Sequence, residues 1–150
     1  MTTSFSLDSQ LEADSLPVAE SELCLLRLLN DVRYPWLLLI PKRAGVSEIF
    51  ELSEAEQVQL LRESSAVAAA LHHEFSCDKI NVAAIGNIVR QLHLHHVVRR
   101  IGDPAWPAPV WGHSPRVPYD DSGFAEIVRK LREGTLDRWF SFTQPPRKSH

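Results

Sequence analysis

Two short apolar runs lie close together in the first third of the chain. LCLLRLL covers residues 23–29, and PWLLLIP covers residues 35–41. Runs of this length, rich in bulky apolar residues and bounded by turn-forming residues, are typical of buried strands. Asn30 and Asp31 follow the first run, and both residue types tolerate turn conformations. The pattern therefore predicts a β-hairpin with a tight turn at Asn30 and Asp31.

After residue 52 the apolar spacing becomes helical. SEAE at residues 53–56 matches a capping box, in which a serine and a glutamate three residues later satisfy each other's backbone N–H groups. The apolar residues that then share one helical face are Leu60, Leu61, Val67, Ala68, Leu71 and Phe75. We expect a long amphipathic helix that ends near Phe75.

A shorter helix is predicted towards the C-terminal end. Phe124, Ile127, Val128 and Leu131 follow i, i+3, i+4, i+7 spacing, with two aspartates before them and Gly134 after them. Acids suit the first turn of a helix, and glycine is common just past its end.

Two further strand candidates follow the long helix. They are DKINVAAI at residues 78–85 and RQLHLHHVV at residues 90–98, with Gly86 and Asn87 as the turn-forming pair between them. The pattern predicts an α+β fold, with an antiparallel sheet of at least four strands packed with one long helix plus a short C-terminal helix.

Residues 101–119 contain five prolines. Proline cannot donate to a strand ladder and interrupts a helix, so this segment is expected to cross the surface as extended, semi-rigid chain. Trp106 and Trp111 lie within it. Because two large aromatic rings are costly to expose, we expect them to cover a pocket rim or a dimer contact.

Composition suggests one domain over residues 1–150, because 150 residues with 44% hydrophobic content suit a single compact core. The first 22 residues carry five acids and no Lys or Arg, which predicts an acidic, loosely docked N-terminal arm over residues 1–21. Residues 143–150 are expected to form a disordered tail.

The formal net charge of −3 gives no reason to expect a nucleic acid or a membrane as partner. The apolar run Trp36 to Ile40 is far too short to span a bilayer, and no signal-like segment is seen at the start, so we expect a cytoplasmic protein. Cys24 and Cys77 lack CxxC spacing, which argues against a disulfide framework or a thiolate zinc site.

The strand candidate at residues 90–98 is unusual because three of the chain's seven histidines fall in four of its residues. Period-two alternation sends Gln91, His93 and His95 to one face of a strand, and Leu92, Leu94 and His96 to the other. The leucine face should lie on the core beneath the long helix. We therefore expect His93 and His95 to act together and His96 to be a packing residue.

Three interpretations of these histidines remain open: a metal site, a catalytic histidine pair, and a polar strand without chemistry. A metal site needs three or four converging ligands, and His93 and His95 supply two. The candidates for a third ligand, none of them in a metal-binding motif, are His72, His73, Asp78, Asp103 and His113.

The segment QLHLHHVV resembles the signature of the histidine triad superfamily, in which three histidines alternate with apolar residues. Gln91 stands in place of the first histidine, and His96 in place of an apolar residue. The resemblance extends over about residues 22–112. LLLIPKR is similar to the family's Ile-Pro-Lys turn, NVAAIGNIV to its Asn strand and Gly-Gln turn, and DPAWPAPVWG to its Trp-Pro-Pro-Gly segment.

This resemblance implies hydrolysis or nucleotidyl transfer at the α-phosphate of a nucleoside phosphoramidate, dinucleoside polyphosphate or similar substrate. It gives His93 the role of covalent nucleophile and His95 that of phosphate binding, while Gln91 contributes a backbone carbonyl that orients His93. It implies that Asn30 or Asp31 contacts the ribose of the nucleotide. It also implies nucleotide contacts from Asn81 and Asn87, which stand at the family's Asn and Gln positions. No metal or other cofactor is implied, and a homodimer is expected.

The chain departs from the family pattern at two further positions. Ala44 stands where some members carry an additional histidine, and Ile88 stands where they carry a hydroxyl residue. Two polar phosphate contacts are therefore expected to be missing. This leaves a second functional hypothesis, a catalytically weak nucleotide-binding or regulatory module that keeps the fold.

Overall fold

The computed structural model describes residues 4–143. Its regular elements, in chain order, are α1 (Ser9–Asp14), β1 (Ser15–Glu20), β2 (Cys24–Leu29), β3 (Trp36–Pro41), α2 (Glu54–Glu74), β4 (Lys79–Ala83), β5 (Leu94–Arg99), α3 (Asp121–Glu133) and β6 (Ser141–Phe142). Single 3-10 turns lie at Ile49–Glu51 and Leu136–Arg138. Within the described residues no helix is both long and apolar enough to cross a membrane.

The strands form one antiparallel sheet in the order β4-β5-β3-β2-β1-β6, so the predicted α+β fold is confirmed. The two apolar runs pair as a hairpin, with Leu26 opposite Leu39. The connection between them is wider than the predicted tight turn and covers residues 30–35. Hydrogen bonds from Arg33 to the Asp31 carboxylate hold it in place.

The long helix α2 begins where the capping box predicts. Ser53 Oγ accepts from the Glu56 N–H, and the Glu56 side chain accepts from the Ser53 N–H. The buried face differs from the predicted one, because Leu61 is 67% exposed. The face instead follows strict helical spacing and is formed by Leu60, Glu63, Ser64, Val67, Ala70 and Leu71. Two polar residues thus occupy buried positions, and each finds a hydrogen-bond partner.

Both faces of the sheet are covered. One face packs against α2 and α3 through residues such as Leu39 and Leu94. The other forms a second apolar cluster around Trp36, Leu38 and Val97. All six residues of β3 are buried as a result.

Residues 9–20 form α1 and β1 of the fold, which corrects, for the described residues, the prediction of a loosely docked acidic arm over residues 1–21. Strand β1 pairs with β2 and with β6, and Val18 is fully buried. Leu11 of α1 is buried in the second cluster. The acids Glu12 and Glu20 are exposed, so they mark the outer side of an element rather than an unfolded segment. The predicted tail falls outside the described residues beyond Thr143.

Two other segments differ from prediction in shape. Strand β5 begins at Leu94, because residues 84–93 form an irregular connection in which Gly86 adopts a positive φ of 70°. The Pro-rich segment is folded into turns over residues 101–114 rather than extended. The Asp103 carboxylate accepts from the Ala105 and Trp106 backbone N–H groups and fixes these turns.

Candidate functional site

A cavity of about 490 Å³ lies on the sheet face opposite α2. Its walls come from α1, β3, β5, residues 85–89 and the Pro-rich segment. This volume is typical of pockets for small molecules. His93 and His95 line the cavity together, as the strand alternation predicts.

His93 is held by the backbone of its own segment. Its Nδ1 lies 2.7 Å from the Gln91 carbonyl oxygen. Because a carbonyl oxygen only accepts hydrogen bonds, Nδ1 carries the proton and donates it. In the neutral imidazole the other ring nitrogen, Nε2, therefore keeps its lone pair. The side chain is buried, with 7% exposed.

His95 lies beside His93, with 4.8 Å between the ring centroids. The Trp36 indole N–H donates to His95 Nδ1 at 3.0 Å. Burial, with a smaller contribution from the neighbouring His93 and His96, lowers the pKa of His95 to about 3. The ring is therefore neutral at physiological pH.

Aromatic rings enclose His95. The centroid of Trp36 lies 5.7 Å from it and that of Trp111 lies 5.3 Å from it. Trp111 thus lines the cavity, as expected for a residue at a pocket rim. Trp106 does not, because its ring lies against the Arg99 guanidinium at 5.6 Å.

The Gln91 side chain does not line this cavity. Its amide oxygen accepts from the Asp8 N–H at 2.9 Å, and its amide nitrogen donates to the Ser6 carbonyl at 2.9 Å. Gln91 therefore joins the segment before α1 to the connection that carries His93 and leads into β5. That segment leads directly to Gln10 and Leu11, which form part of the cavity wall.

Of the two hairpin candidates, Asp31 lines the cavity and Asn30 does not. Asn30 instead accepts from the Tyr119 N–H at 2.8 Å. Burial alone would raise the pKa of Asp31, but hydrogen bonds from the Arg33 side chain and backbone outweigh it and hold that pKa below its usual value. Asp31 is therefore a buried carboxylate paired with Arg33.

The two other asparagine candidates are also separated. Asn87 lies at the cavity among residues 85–89. Asn81 accepts from the Arg99 guanidinium at 2.9 Å and faces a different pocket, so it does not reach the histidine pair.

The third histidine of the segment is a packing residue, as the alternation predicts. His96 is fully buried, and its Nε2 lies 2.7 Å from Ser64 Oγ on α2. Burial lowers the pKa of His96 to about 4. Within residues 4–143, no three His, Cys, Asp or Glu side chains form a group that could hold a metal ion.

Sequence reasoning missed several residues that build the cavity. Trp36 belongs to a run that predicts only a buried strand, and Arg33 and Arg116 lie in connections without a motif. The part of the wall formed by α1 did have a signal in the sequence. Leu7 and Leu11 are apolar residues within the acidic N-terminal segment, and they indicate a buried element.

The protein is an α+β domain with a six-stranded antiparallel sheet. Two adjacent buried imidazoles, those of His93 and His95, line a cavity on one face of this sheet. Comparison with family models matches residues 10–102 to the HIT domain. The chain belongs to the HIT (histidine triad) family. Membership supports a nucleotide-binding or hydrolase-type protein.

Solved structures of histidine triad proteins agree with this assignment. The protein from Marinobacter aquaeolei VT8 is 48% identical with a TM-score of 0.85, and the alignment covers 87% of this chain and 95% of that one. The protein from Sinorhizobium meliloti 1021 is 44% identical with a TM-score of 0.86, covering 90% and 100%. That from Bradyrhizobium japonicum is 42% identical with a TM-score of 0.84, covering 87% and 97%. The comparison with curated proteins finds no match.

Proposed function

We propose that this protein is a nucleotide hydrolase or nucleotidyl transferase that acts at the α-phosphate of a nucleoside phosphoramidate, a dinucleoside polyphosphate or a similar substrate. The observation that carries the proposal is the His93 Nδ1 hydrogen bond to the Gln91 carbonyl. That bond leaves the Nε2 lone pair of a cavity-lining imidazole free to attack phosphorus.

The reaction would proceed in two displacements. His93 Nε2 attacks the α-phosphorus, a P–N bond forms, and the bond from phosphorus to the leaving group breaks. Water or another acceptor then attacks the same phosphorus, the P–N bond breaks, and the imidazole is restored. His95 lies beside the attacking ring, where it can hold a phosphate oxygen.

Two cavities that meet at His93 offer space for such a substrate. Besides the cavity described above, a second cavity of about 590 Å³ is lined in part by Glu48, Arg90 and Gln91. His93 and residues 85–88 line both. We assign the nucleoside to the cavity that Asp31 lines, with Asn87 where the two cavities meet, and the leaving group to the second cavity.

Asn30 and Asn81 support the site without facing either cavity. Asn30 fixes the chain at Tyr119, and Asn81 orients Arg99. Gln91 contributes its carbonyl to His93, while its side chain holds the N-terminal segment.

A second function, a nucleotide-binding or regulatory module with weak catalysis, draws on a different observation. Gln91 cannot titrate near neutral pH, and Ile88 places an apolar side chain at the rim of both cavities. Fewer polar groups are then available to stabilise charge on the transferred phosphoryl group.

One experiment separates these functions. The protein is incubated with a panel of nucleoside phosphoramidates and dinucleoside polyphosphates, with and without a chelator, and intact mass is recorded during turnover. Turnover that resists the chelator, together with a nucleotidyl adduct absent from His93→Gly, supports the hydrolase. Binding without turnover or adduct would favour the binding module, and chelator-sensitive turnover would favour a metal enzyme.

We further propose a homodimer formed along β4. This strand is an edge of the sheet, so one side of its backbone is unpaired within the described chain. Apolar side chains on and just after it are exposed: Val82, Ile85 and Ile88, the last by 93%. Unpaired strand edges and exposed apolar side chains are both suited to association.

A further inference from the structure

We propose that Trp36 is a positioning residue that fixes His95 in the Nε2–H tautomer, so that His95 faces the cavity as a neutral hydrogen-bond donor beside the lone pair of His93. The donor's action on a phosphate rests on the proposed function. The tautomer itself does not, and it can be measured in the free protein.

The assignment follows from the chemistry of the two rings. An indole N–H can only donate a hydrogen bond, and Trp36 Nε1 lies 3.0 Å from His95 Nδ1. Nδ1 must therefore be unprotonated. A neutral imidazole carries a single ring proton, which is then on Nε2. Within residues 4–143, the only side-chain hydrogen bond of His95 is the one from Trp36.

The sheet register makes this hydrogen bond possible. In the β3–β5 pairing, Leu38 lies opposite His95 and Trp36 lies opposite Val97. Trp36 precedes Leu38, the residue opposite His95, by two positions, so its side chain lies on the same side of the sheet as that of His95. Such diagonal neighbours are within reach of a large aromatic side chain. Trp36 is itself buried, so water does not compete for its N–H.

The two imidazoles of the cavity then have opposite tautomers. The Gln91 carbonyl keeps the proton of His93 on Nδ1, and Trp36 keeps that of His95 on Nε2. One ring presents a lone pair and its neighbour presents an N–H, 4.8 Å apart between centroids. Attack at phosphorus requires a nucleophile and a hydrogen-bond donor to a phosphate oxygen, and the two imidazoles supply one each. With its proton on Nδ1 instead, His95 would present a lone pair to an anionic oxygen and repel it.

The chain provides a matched control in Trp111. Its ring lies as close to His95 as that of Trp36, at 5.3 Å, but its buried Nε1 has no hydrogen-bond partner within the described residues. Trp111→Phe therefore removes the same atoms as Trp36→Phe from the same ring cluster, while leaving the hydrogen bond to His95 in place.

The test is a long-range ¹H–¹⁵N correlation spectrum of protein labelled with ¹⁵N in its histidine and tryptophan rings, recorded at about pH 7.5, where an unperturbed imidazole is neutral. His95→Gln identifies the His95 signals by their loss. In wild-type protein we expect an unprotonated Nδ1 and a protonated Nε2, with a coupling across the hydrogen bond from the Trp36 indole. We expect Trp36→Phe to give mixed tautomers, and Trp111→Phe to retain the wild-type state.

A wild-type His95 that carries its proton on Nδ1, or that is an imidazolium, would overturn the proposal, as would a Trp36→Phe spectrum unchanged from wild type. If Trp36→Phe does not fold, the coupling in the wild-type protein decides, and its absence counts against Trp36. On any substrate turned over, Trp36→Phe should lower kcat by about three- to tenfold, the usual contribution of one neutral hydrogen bond. If no substrate is found, the proposed function fails and the tautomer result still stands.

Discussion

At the scale of single residues, the environment of His93 determines its chemistry. Its Nδ1 proton is fixed by a main-chain carbonyl, which side-chain substitution at Gln91 does not remove. Asp31 and the other polar groups of the cavity lie on other segments. Removal of the His93 ring should therefore affect the covalent step far more than nucleotide binding.

We expect His93→Ala to abolish nucleotidyl transfer and to leave nucleotide affinity within roughly tenfold, since the substitution deletes the nucleophile but few binding contacts. Steady-state kinetics and isothermal titration measure the two quantities. His73→Ala serves as control, because His73 lies on α2 with its side chain 82% exposed. Turnover by His93→Ala at the wild-type rate would remove the nucleophile assignment.

At the scale of elements, the segment before α1 depends on one side chain from another part of the chain. Gln91 accepts from Asp8 and donates to Ser6, and both bonds join the N-terminal segment to the start of the histidine strand. Leu11 in the following helix lies in the cavity wall. Gln91 therefore helps to shape the cavity to which we assign the nucleoside.

We expect Gln91→Ala to speed amide hydrogen exchange in residues 5–14 by roughly tenfold or more, since two neutral hydrogen bonds are lost. KM should rise more than kcat falls, because the Gln91 carbonyl that orients His93 remains. Exchange mass spectrometry and kinetics provide the two readouts.

Gln57→Ala is the matched control for this prediction. It also removes a glutamine that donates to a backbone carbonyl, that of Leu52 at 2.9 Å, but on the opposite side of the sheet. Unchanged exchange in residues 5–14 of Gln91→Ala would show that the segment is held by apolar packing alone.

Elements that are marked by a pattern of residues close together in the chain could be predicted from the sequence. Ser53 and Glu56 mark the start of α2, and the alternation of Leu92 to His96 separates core from cavity even though β5 begins only at Leu94. Features that depend on partners far along the chain could not. The β1 pairing and the Trp36 contact with His95 arise from strand register, which composition and periodicity do not specify.

At the scale of the whole molecule, the unpaired edge of β4 is the surface through which we propose that two copies associate. We expect the wild-type protein to be a dimer at micromolar concentration. We expect Val82→Asp to shift it to monomer, because a carboxylate at a strand-edge contact must be desolvated or excluded. Sedimentation or light scattering measures the mass. Trp139→Asp is the control, since Trp139 is 40% exposed and lies beside β6, at the opposite edge of the sheet. A monomeric wild-type protein, or a Val82→Asp dimer as stable as wild type, would contradict the proposal.

The buried imidazoles also make global stability depend on pH. In the folded protein the pKa of His95 is lowered to about 3 and that of His96 to about 4, in both cases chiefly by burial. Unfolding returns both groups to water and to an ordinary pKa near 6.5. Below that pH the unfolded chain binds up to two more protons than the folded chain, so acid favours unfolding.

We therefore expect the free energy of unfolding to be nearly constant above about pH 7 and to fall by roughly 2 to 3 kcal/mol between about pH 7.5 and pH 5.5, about 1.4 kcal/mol for each histidine. Urea titrations at the two pH values measure it. His95→Gln should lose about half of this pH dependence, because one titrating ring is removed, while His73→Ala should retain all of it. Equal stability at both pH values would mean that the two rings take up protons within the folded protein. In that case a neutral His95 donor could not persist through the acidic range.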